Sequence, residues 1–270
     1  MKSDIIRDFS KFVIRATLIG LLICLSFRPI YAADFGCENP LPTPKGLVEG
    51  VEASYLKTSS ITADFFQTSF FAGLDKKEAS KGTVQFARPG KMNWDYQEPD
   101  PQRFVSDGST IYFYQPKLNQ VTLTSFKEAF SSELPVTFLL GLGSLSKSFN
   151  ALGICKSAEG TLIKLAPKAE DASLSSFTLL VDKTSFSPLG AKIVDLGGNE
   201  TSILLVAPKF NSSIPAVAFD FKIPLGVDII DNRGGGNLDE TQPTSEVIKQ
   251  GISQTPLKEK NTVKEENLVK

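Results

Sequence analysis

A run of alternating apolar and polar residues over 82–122 constrains the fold of this chain more than any other feature. Side chains two residues apart on a strand point to the same face, so Val84, Phe86 and Arg88 share one face. An arginine is always charged and is costly to bury without acceptors, so this row needs a partner for its guanidinium. Two interpretations stay open: Arg88 ends the strand with its head group in water, or it meets an acceptor beside the aromatic side chains.

The residues after Arg88 continue the strand pattern. Met92, Trp94 and Tyr96 occupy one strand face, and Asp107-Gly108 is typical of a hairpin turn. Trp94, the single tryptophan, either lines a cavity or fills the core, because rows of aromatic residues serve both uses. The 20 phenylalanines suit a β-rich protein with a large aromatic interior.

Helical patterns occur at two places. Thr43-Pro44 is typical of a helix N-cap followed by proline, and it predicts one amphipathic helix that ends near Ser59. Over 125–149 apolar residues recur at helical intervals, which predicts two short helices hinged at Pro135. Further strands are predicted at 162–165, 177–181, 189–196, 202–207 and 217–223. The sum is a mainly β (α+β) fold, an incomplete antiparallel β-barrel of about ten or eleven strands covered by helices.

Several classes of function are excluded by what the sequence lacks. Histidine is absent, which excludes Ser-His-Asp and Cys-His catalysis and histidine-containing zinc sites. No pair of acidic residues stands out, and Gly141-Leu142-Gly143 lacks the third glycine of a dinucleotide fingerprint. The net charge of −1 gives no basic footprint for nucleic acid. We therefore expect no enzymatic activity, no cofactor and no metal site.

The N-terminal end has the layout of a cleaved export signal. Basic residues precede an apolar run over 16–27, and small residues follow at Ala32 and Ala33, which predicts a signal peptide over residues 1–33. The alternative is a retained membrane anchor. A spanning helix needs about 20 apolar residues, and Arg28 interrupts this run first, so we favour cleavage and a soluble mature chain.

The rest of the chain divides by composition. We expect a short linker over 34–43, the folded domain over 44–232 and a disordered polar tail over 233–270. The tail is rich in Lys and Glu, and a segment of that kind buries too little apolar surface to offset the entropy cost of ordering.

Export leaves two cysteines in the mature chain, because Cys24 lies within the signal. In an oxidising compartment we expect Cys37 and Cys155 to form a disulfide that ties the mature N-terminus to a strand in the middle of the chain. Two unpaired thiols are the alternative.

Five separated motifs resemble those of the outer-membrane lipoprotein carrier family, the LolA type. They are R-P-G-K-M-N-W-D-Y at 88–96, V-S-D-G-S-T-I-Y-F-Y-Q-P at 105–116, I-T-A-D-F-F-Q-T at 61–68, L-A-P-K at 165–168 and F-D-F-K-I-P-L-G-V-D-I-I-D at 219–231. They follow the order of the family and span roughly Pro44 to Asn232. The resemblance implies an unclosed β-barrel with a helical lid around an apolar cavity that receives the acyl chains of lipoproteins.

The resemblance also implies roles for particular residues. Arg88 stands at the family's arginine, which closes the lid by hydrogen bonds to backbone carbonyls, here within 131–143. Met92 stands where the family often has an aromatic residue, and a flexible thioether suits an adaptable wall. The candidates for the cavity lining are Phe65, Val84, Phe86, Met92, Trp94, Phe113, Phe138 and Leu139.

As implied by the resemblance, the chain is a monomeric chaperone in the periplasm of a Gram-negative bacterium. Its cargo would be acylated lipoproteins, received from an inner-membrane lipoprotein-releasing ABC transporter and passed to an outer-membrane acceptor. Two other functions stay open, namely a half-barrel sensor that reports on lipidated proteins and a carrier of another envelope lipid. An envelope hydrolase is disfavoured, because the sequence has no histidine and no nucleophile motif.

Overall fold

The structure, a computed structural model, describes residues 34–129, 144–168 and 174–233. These residues form helices α1 (Leu47–Leu56), α2 (Phe126–Ala129) and α3 (Leu145–Ser148), with 3₁₀ turns at Ala72–Leu74, Pro116–Leu118 and Ala216–Phe219. The strands are β1 (Ser60–Phe71), β2 (Lys76–Ala87), β3 (Lys91–Glu98), β4 (Gln102–Asp107), β5 (Thr110–Gln115), β6 (Gln120–Ser125), β7 (Phe149–Lys156), β8 (Thr161–Pro167), β9 (Leu174–Val181), β10 (Pro188–Asp195), β11 (Glu200–Phe210) and β12 (Asp228–Asp231). Within the described ranges no helix is long and apolar enough to cross a membrane.

All of these strands join one sheet in the order β12-β6-β5-β4-β3-β2-β1-β11-β10-β9-β8-β7. Neighbouring strands run antiparallel except β12, which pairs in parallel with β6. Strand β1 lies at the centre of the order and pairs with β2 on one side and β11 on the other. The incomplete barrel predicted from the sequence is confirmed, because β12 and β7 end the sheet without pairing with each other in the described chain.

The strand count and the last predicted strand differ from expectation. The described residues contain twelve strands rather than ten or eleven. Residues 217–223 form no strand, so that prediction is wrong, and the final strand is β12 instead. The apolar residues of this segment pack against the sheet without joining it. Phe219 is buried, and the Phe221 ring lies 5.5 Å from that of Tyr112 and 5.7 Å from that of Tyr114 on β5.

Helix α1 is shorter than predicted at both ends. It begins at Leu47 after Gly46, which has φ 82°, and it ends at Leu56, so Thr43 is not its N-cap. The Thr43 hydroxyl is buried and has no hydrogen-bond partner among the described residues, which confirms that it caps nothing there. Helices α2 and α3 lie at the two ends of the predicted helical pair, and the hinge at Pro135 lies outside the described residues.

One continuous buried cluster occupies one face of the sheet, which we call the inner face. The cluster takes side chains from β1 to β5 and from β7 to β11, together with Val51 and Tyr55 of α1. Because strands from both halves of the sheet contribute to the same cluster, the sheet curls around it. The inner face is therefore the interior of a half-barrel.

The segment 34–43, expected to be a linker, covers part of the opposite, outer face. Phe35 and Cys37 form a second buried cluster with Leu162 and Leu180. The structure joins Cys37 to Cys155 in a disulfide with the Cα atoms 5.6 Å apart. The N-terminal segment is thereby fastened to β7, one of the two edge strands of the sheet.

A second contact holds the same segment against β7. Leu41 and Ile154 exchange two backbone hydrogen bonds of 2.8 Å. Gly153 has φ 150°, and a Cβ there would come within 2.6 Å of the Leu41 carbonyl oxygen and of Pro40 Cβ. Glycine is needed because the two backbones approach so closely. The edge strand β7 is thus covered, which limits pairing with other chains.

Candidate functional site

The inner face near the centre of the sheet is built of four cross-strand rows. Register pairing places the rows side by side on the inner face. The first row is Ile61, Phe86, Met92, Ser106 and Ile111, and the second is Ala63, Val84, Trp94, Phe104 and Phe113. The third row contains Phe65, Gly82 and Tyr96, and the fourth contains Gln67 and Ser80. Successive rows are about 7 Å apart, since a strand rises about 3.3 Å per residue. The first two rows are apolar apart from the Trp94 indole nitrogen and the Ser106 hydroxyl, which donates to the Gly90 carbonyl oxygen at 2.9 Å. Polar side chains that bond to one another lie in the third and fourth rows.

Aromatic rings fill the centre of these rows. The Trp94 ring lies 5.2 Å from Phe65 and 5.7 Å from Phe86, both edge-to-face, and it stacks at 6.2 Å on Tyr96. Gly82 makes this packing possible, because a Cβ there would lie 1.9 Å from the Asp95 carbonyl oxygen and 3.0 Å from the Phe65 ring. The rings present a broad apolar surface with weak, non-directional contacts.

A hydrogen-bonded chain closes the polar end of the inner face. The Tyr96 hydroxyl donates to Gln67 Oε1 at 2.8 Å, and Gln67 Nε2 donates to Ser69 Oγ at 3.2 Å. Burial raises the pKa of the Tyr96 hydroxyl far above its ordinary value, so it stays protonated and remains a donor. Gln67 is only 1% exposed, which makes this chain a part of the interior.

The Trp94 indole nitrogen has no such partner. Trp94 is 4% exposed, its Nε1 atom is buried, and no described residue accepts a hydrogen bond from it. A buried indole N–H is normally paired, because leaving it unpaired costs free energy.

Arg88 lies at the end of β2, beyond the first row. Its backbone N–H donates to the Ser59 carbonyl oxygen at 3.0 Å, and its guanidinium carbon lies 4.3 Å from the centroid of the Tyr55 ring. Its Nη2 atom is buried and has no acceptor among the described residues. The arginine is therefore partly enclosed next to an aromatic ring, and one of its donors is unused.

Tyr55 is held beside Arg88 by helix α1. Burial raises the pKa of the Tyr55 hydroxyl to about 12, although the neighbouring Arg88 opposes the increase. The hydroxyl is thus neutral at physiological pH, and the guanidinium interacts with a neutral ring rather than with a phenolate. A small cleft lies between them and is lined by Tyr55, Thr58, Ser59, Ser60, Ile61, Phe86, Ala87, Arg88 and Lys91.

Glu52, on the preceding turn of α1, binds the start of helix α3. Its Oε1 accepts from Ser144 Oγ at 2.7 Å and from the Ser146 backbone N–H at 2.8 Å, and its Oε2 accepts from Ser146 Oγ at 2.8 Å. Partial burial acts to raise the pKa of Glu52, but the hydrogen bonds outweigh it and hold the pKa below its ordinary value. One helix therefore contacts both Arg88 and the chain around residue 145.

The structure brings most of the residues predicted as cavity lining into one cluster. Phe65, Val84, Phe86, Met92, Trp94 and Phe113 are all buried on the inner face. Phe138, Leu139 and the carbonyls of 131–143 lie outside the described residues. Sequence reasoning did not assign Glu52, Tyr55 or Gln67 to the site. Tyr55 had a signal, since it follows Val51 by four residues on the apolar face of α1, and Gln67 had one, since it shares strand parity with Phe65.

Fold and site together define a class of protein, namely an open and mainly antiparallel half-barrel with a continuous apolar interior. The sequence model of the family described as outer membrane lipoprotein carrier protein LolA matches residues 56–222, and the chain belongs to this family.

Two relatives that are named as outer-membrane lipoprotein carrier proteins agree with this assignment. The outer-membrane lipoprotein carrier protein of Methylobacillus flagellatus is 30% identical over 68% of this chain and 88% of its own length. That of Chromobacterium violaceum is 28% identical over 76% of this chain and 97% of its own length. Among solved structures, an uncharacterized conserved protein from Thermus thermophilus is similar with a TM-score of 0.47 and 12% identity, over 70% of this chain and 98% of that one.

Proposed function

We propose that this chain is a periplasmic chaperone that takes up the acyl chains of lipoproteins released from the inner membrane and carries them to the outer membrane. The observation that carries the proposal is the inner face, where apolar side chains from ten strands form one interior. Membership of the lipoprotein carrier family supports it. The chain acts by binding and release, and no catalytic step is needed.

The physical requirement of such a carrier matches the character of the inner face. An exposed acyl chain costs about 0.8 kcal/mol per methylene in water, so a carrier must cover tens of methylenes during transit. It must also release them. Aromatic rings such as those of Phe65, Phe86 and Trp94, which pack edge-to-face, can contact a hydrocarbon by dispersion. Such contacts include no directional bond that would have to be broken on delivery.

Arg88 is the proposed latch of this carrier. Its buried Nη2 has no acceptor among the described residues, and we propose that it donates to backbone carbonyls within 131–143 when the carrier is empty. A neutral carbonyl suits this role, because such a bond is strong in an enclosed site and exchanges for water once acyl chains displace the cover. The contact with Tyr55 positions the guanidinium for the bond.

The partners follow from the same proposal. The chain receives acylated lipoproteins from an inner-membrane ABC transporter that releases them, and it gives them to an outer-membrane acceptor. It works as a monomer in the periplasm of a Gram-negative bacterium. Removal of the signal over 1–33 precedes this work.

A binding and delivery experiment tests the proposal. The mature chain is mixed with a triacylated lipopeptide or with the same peptide without acyl groups, and soluble complexes are separated by size. We expect only the acylated peptide to stay in solution with the protein, and to move to acceptor vesicles when an outer-membrane acceptor is present. Equal binding of both peptides would contradict acyl recognition, and stable binding without delivery would favour a sensor. A marked preference for a different envelope lipid, identified by mass spectrometry after co-purification, would reassign the cargo.

A further inference from the structure

We propose that the indole N–H of Trp94 binds the carbonyl oxygen of the ester bond that joins an acyl chain to its cargo. This inference rests on the proposed carrier function and deepens it, because it adds one polar recognition point to a largely apolar interior. The site is the second row of the inner face, where Trp94 lies between Val84 and Phe104.

The unpaired donor is the first observation behind the inference. Trp94 is 4% exposed, and its Nε1 atom is buried without an acceptor among the described residues. Native interiors pair nearly all such groups, and an exception calls for an explanation. If Trp94 only filled the core, nothing would offset the free-energy cost of its unpaired N–H. A ligand that accepts a hydrogen bond from this N–H would offset that cost.

The neighbouring polar groups are the second observation. On the same face, the Tyr96 hydroxyl donates to Gln67 Oε1, and Gln67 Nε2 donates to Ser69 Oγ. The Trp94 N–H does not take part in this chain. Trp94 therefore stands at the boundary between the apolar rows and the polar rows, with the only buried, unpartnered side-chain nitrogen of the four described rows.

The chemistry of the donor selects the ligand. An indole nitrogen donates one hydrogen bond and accepts none. An acyl ester has acceptor oxygens and no donor, so the two groups are complementary. Both are neutral, so neither brings an uncompensated charge into the interior. Bound in this way, the linkage lies at the boundary, and the hydrocarbon covers the first and second rows.

A free carboxylate is the competing ligand of related chemistry. Arg88 lies just beyond the end of β2 in the same cleft as Phe86, and its guanidinium is the charged group that would attract a fatty acid anion. The inference commits to the neutral carbonyl. A fatty acid that binds with its head at Arg88 would leave the indole N–H unchanged.

The single tryptophan makes the experiment direct, because the ¹⁵N–¹H spectrum of the mature chain contains one indole signal. Methyl laurate and n-tetradecane are the two probes, since they have comparable length and only the ester carries a carbonyl. We expect both to bind, and only the ester to move the indole proton downfield. Laurate at neutral pH is the third probe, and we expect it to leave that proton in place.

Two variants extend the experiment to affinity. Trp94→Phe removes the N–H and keeps an aromatic ring, and we expect the preference for ester over alkane to fall roughly three- to tenfold, as for the loss of one hydrogen bond. Phe86→Leu is the matched control, since it should weaken the binding of both probes and leave the ratio of their affinities unchanged. The measurement on the parent chain does not depend on whether either variant folds.

The outcomes separate this inference from the function on which it rests. If both probes bind and move the indole proton alike, or if Trp94→Phe keeps the preference for ester, the inference is wrong and the carrier function stands. An indole shift with laurate as large as with the ester would also overturn it. If neither apolar probe binds, the proposed function fails and this inference fails with it.

Discussion

The guanidinium of Arg88 lies over the ring of Tyr55, 4.3 Å from its centroid, and keeps a buried Nη2 without an acceptor among the described residues. Tyr55 belongs to helix α1 and Arg88 to the end of β2, so the contact joins the helix to the half-barrel. A cation over a neutral ring is an attraction without a fixed donor geometry. Tyr55 thus orients the guanidinium while Nη2 stays available as a donor, as a reversible latch requires.

Replacing Arg88 tests this latch. We expect Arg88→Leu to fold, with a free energy of unfolding within about 1 kcal/mol of the parent, because the lost cation–π contact is of that order. The variant should still bind acylated lipopeptide, but the amount that it delivers to the acceptor should fall roughly tenfold. The reason is that the closed empty state loses a hydrogen bond from a charged donor. Binding and delivery are measured as separate steps.

Arg103→Leu is the control, since Arg103 lies over Phe221 on the outer face. Normal delivery by Arg88→Leu would show that it is no latch.

The Glu52 contact predicts a pH dependence. The folded pKa of Glu52 is below the ordinary value of 4.5, so its stabilising contribution is fully present above that pH and is lost as the pH falls through the folded pKa. We expect Glu52→Gln to lower the free energy of unfolding by about 1 kcal/mol at pH 7, discounted for its partial exposure, and to differ little from the parent at strongly acid pH.

Urea unfolding from neutral to acid pH measures this difference. Glu49→Gln is the control, since Glu49 is exposed on the same helix. A difference between parent and Glu52→Gln that does not shrink at low pH would mean that the carboxylate charge is not what holds α3.

The disulfide predicts a loss of stability on reduction. The bond between Cys37 and Cys155 closes a loop with a sequence separation of 118, and its removal releases the covering segment from β7. We expect Cys37→Ser with Cys155→Ser to lower the free energy of unfolding by about 2–5 kcal/mol. Chemical denaturation measures the loss, and thiol counting in unfolded, unreduced protein checks the pairing. Two alkylated thiols in that sample would refute the bond.

The C-terminal tail is expected to contribute little to the fold. Truncation after Asn232 keeps β12 and the bond from the Asn232 N–H to the Leu123 carbonyl oxygen at 2.8 Å, so the melting temperature and acyl binding should stay nearly unchanged. Truncation after Pro215 is the contrast, because it removes Phe219, Phe221 and β12 and exposes the β6 edge. A large loss from the truncation after Asn232 would show that the tail packs on the domain.

The inner face was predictable from sequence because strand parity is local. Val84 and Phe86, and likewise Met92, Trp94 and Tyr96, share a face in the structure as the period of two requires. Arg88 lies one residue beyond the end of β2, so the strand register does not include it. The hairpin at Asp107-Gly108 was predictable for the same reason, since Gly108 has φ 99° in the turn between β4 and β5.

The contacts of the site were not predictable, because they join distant parts of the chain. Glu52 meets Ser146 across 94 positions, and no local pattern encodes such a pair. The α1 start was misassigned because Thr43-Pro44 satisfies the cap pattern, whereas Gly46 in the left-handed region sets the actual beginning. The unpaired Trp94 N–H is a property of three-dimensional packing, which parity alone does not specify.

The central claim is that acyl chains lie on the inner face, and photolabelling tests it most directly. A lipopeptide whose acyl chain carries a diazirine is bound to the mature protein and irradiated, and mass spectrometry locates the labels. The account predicts labels on Phe86, Met92 and Phe113 and none on Tyr112 and Tyr114, which alternate with Phe113 on β5 and face Phe221 on the outer side. Labels concentrated on Tyr112 and Tyr114, or spread evenly over both faces, would contradict it.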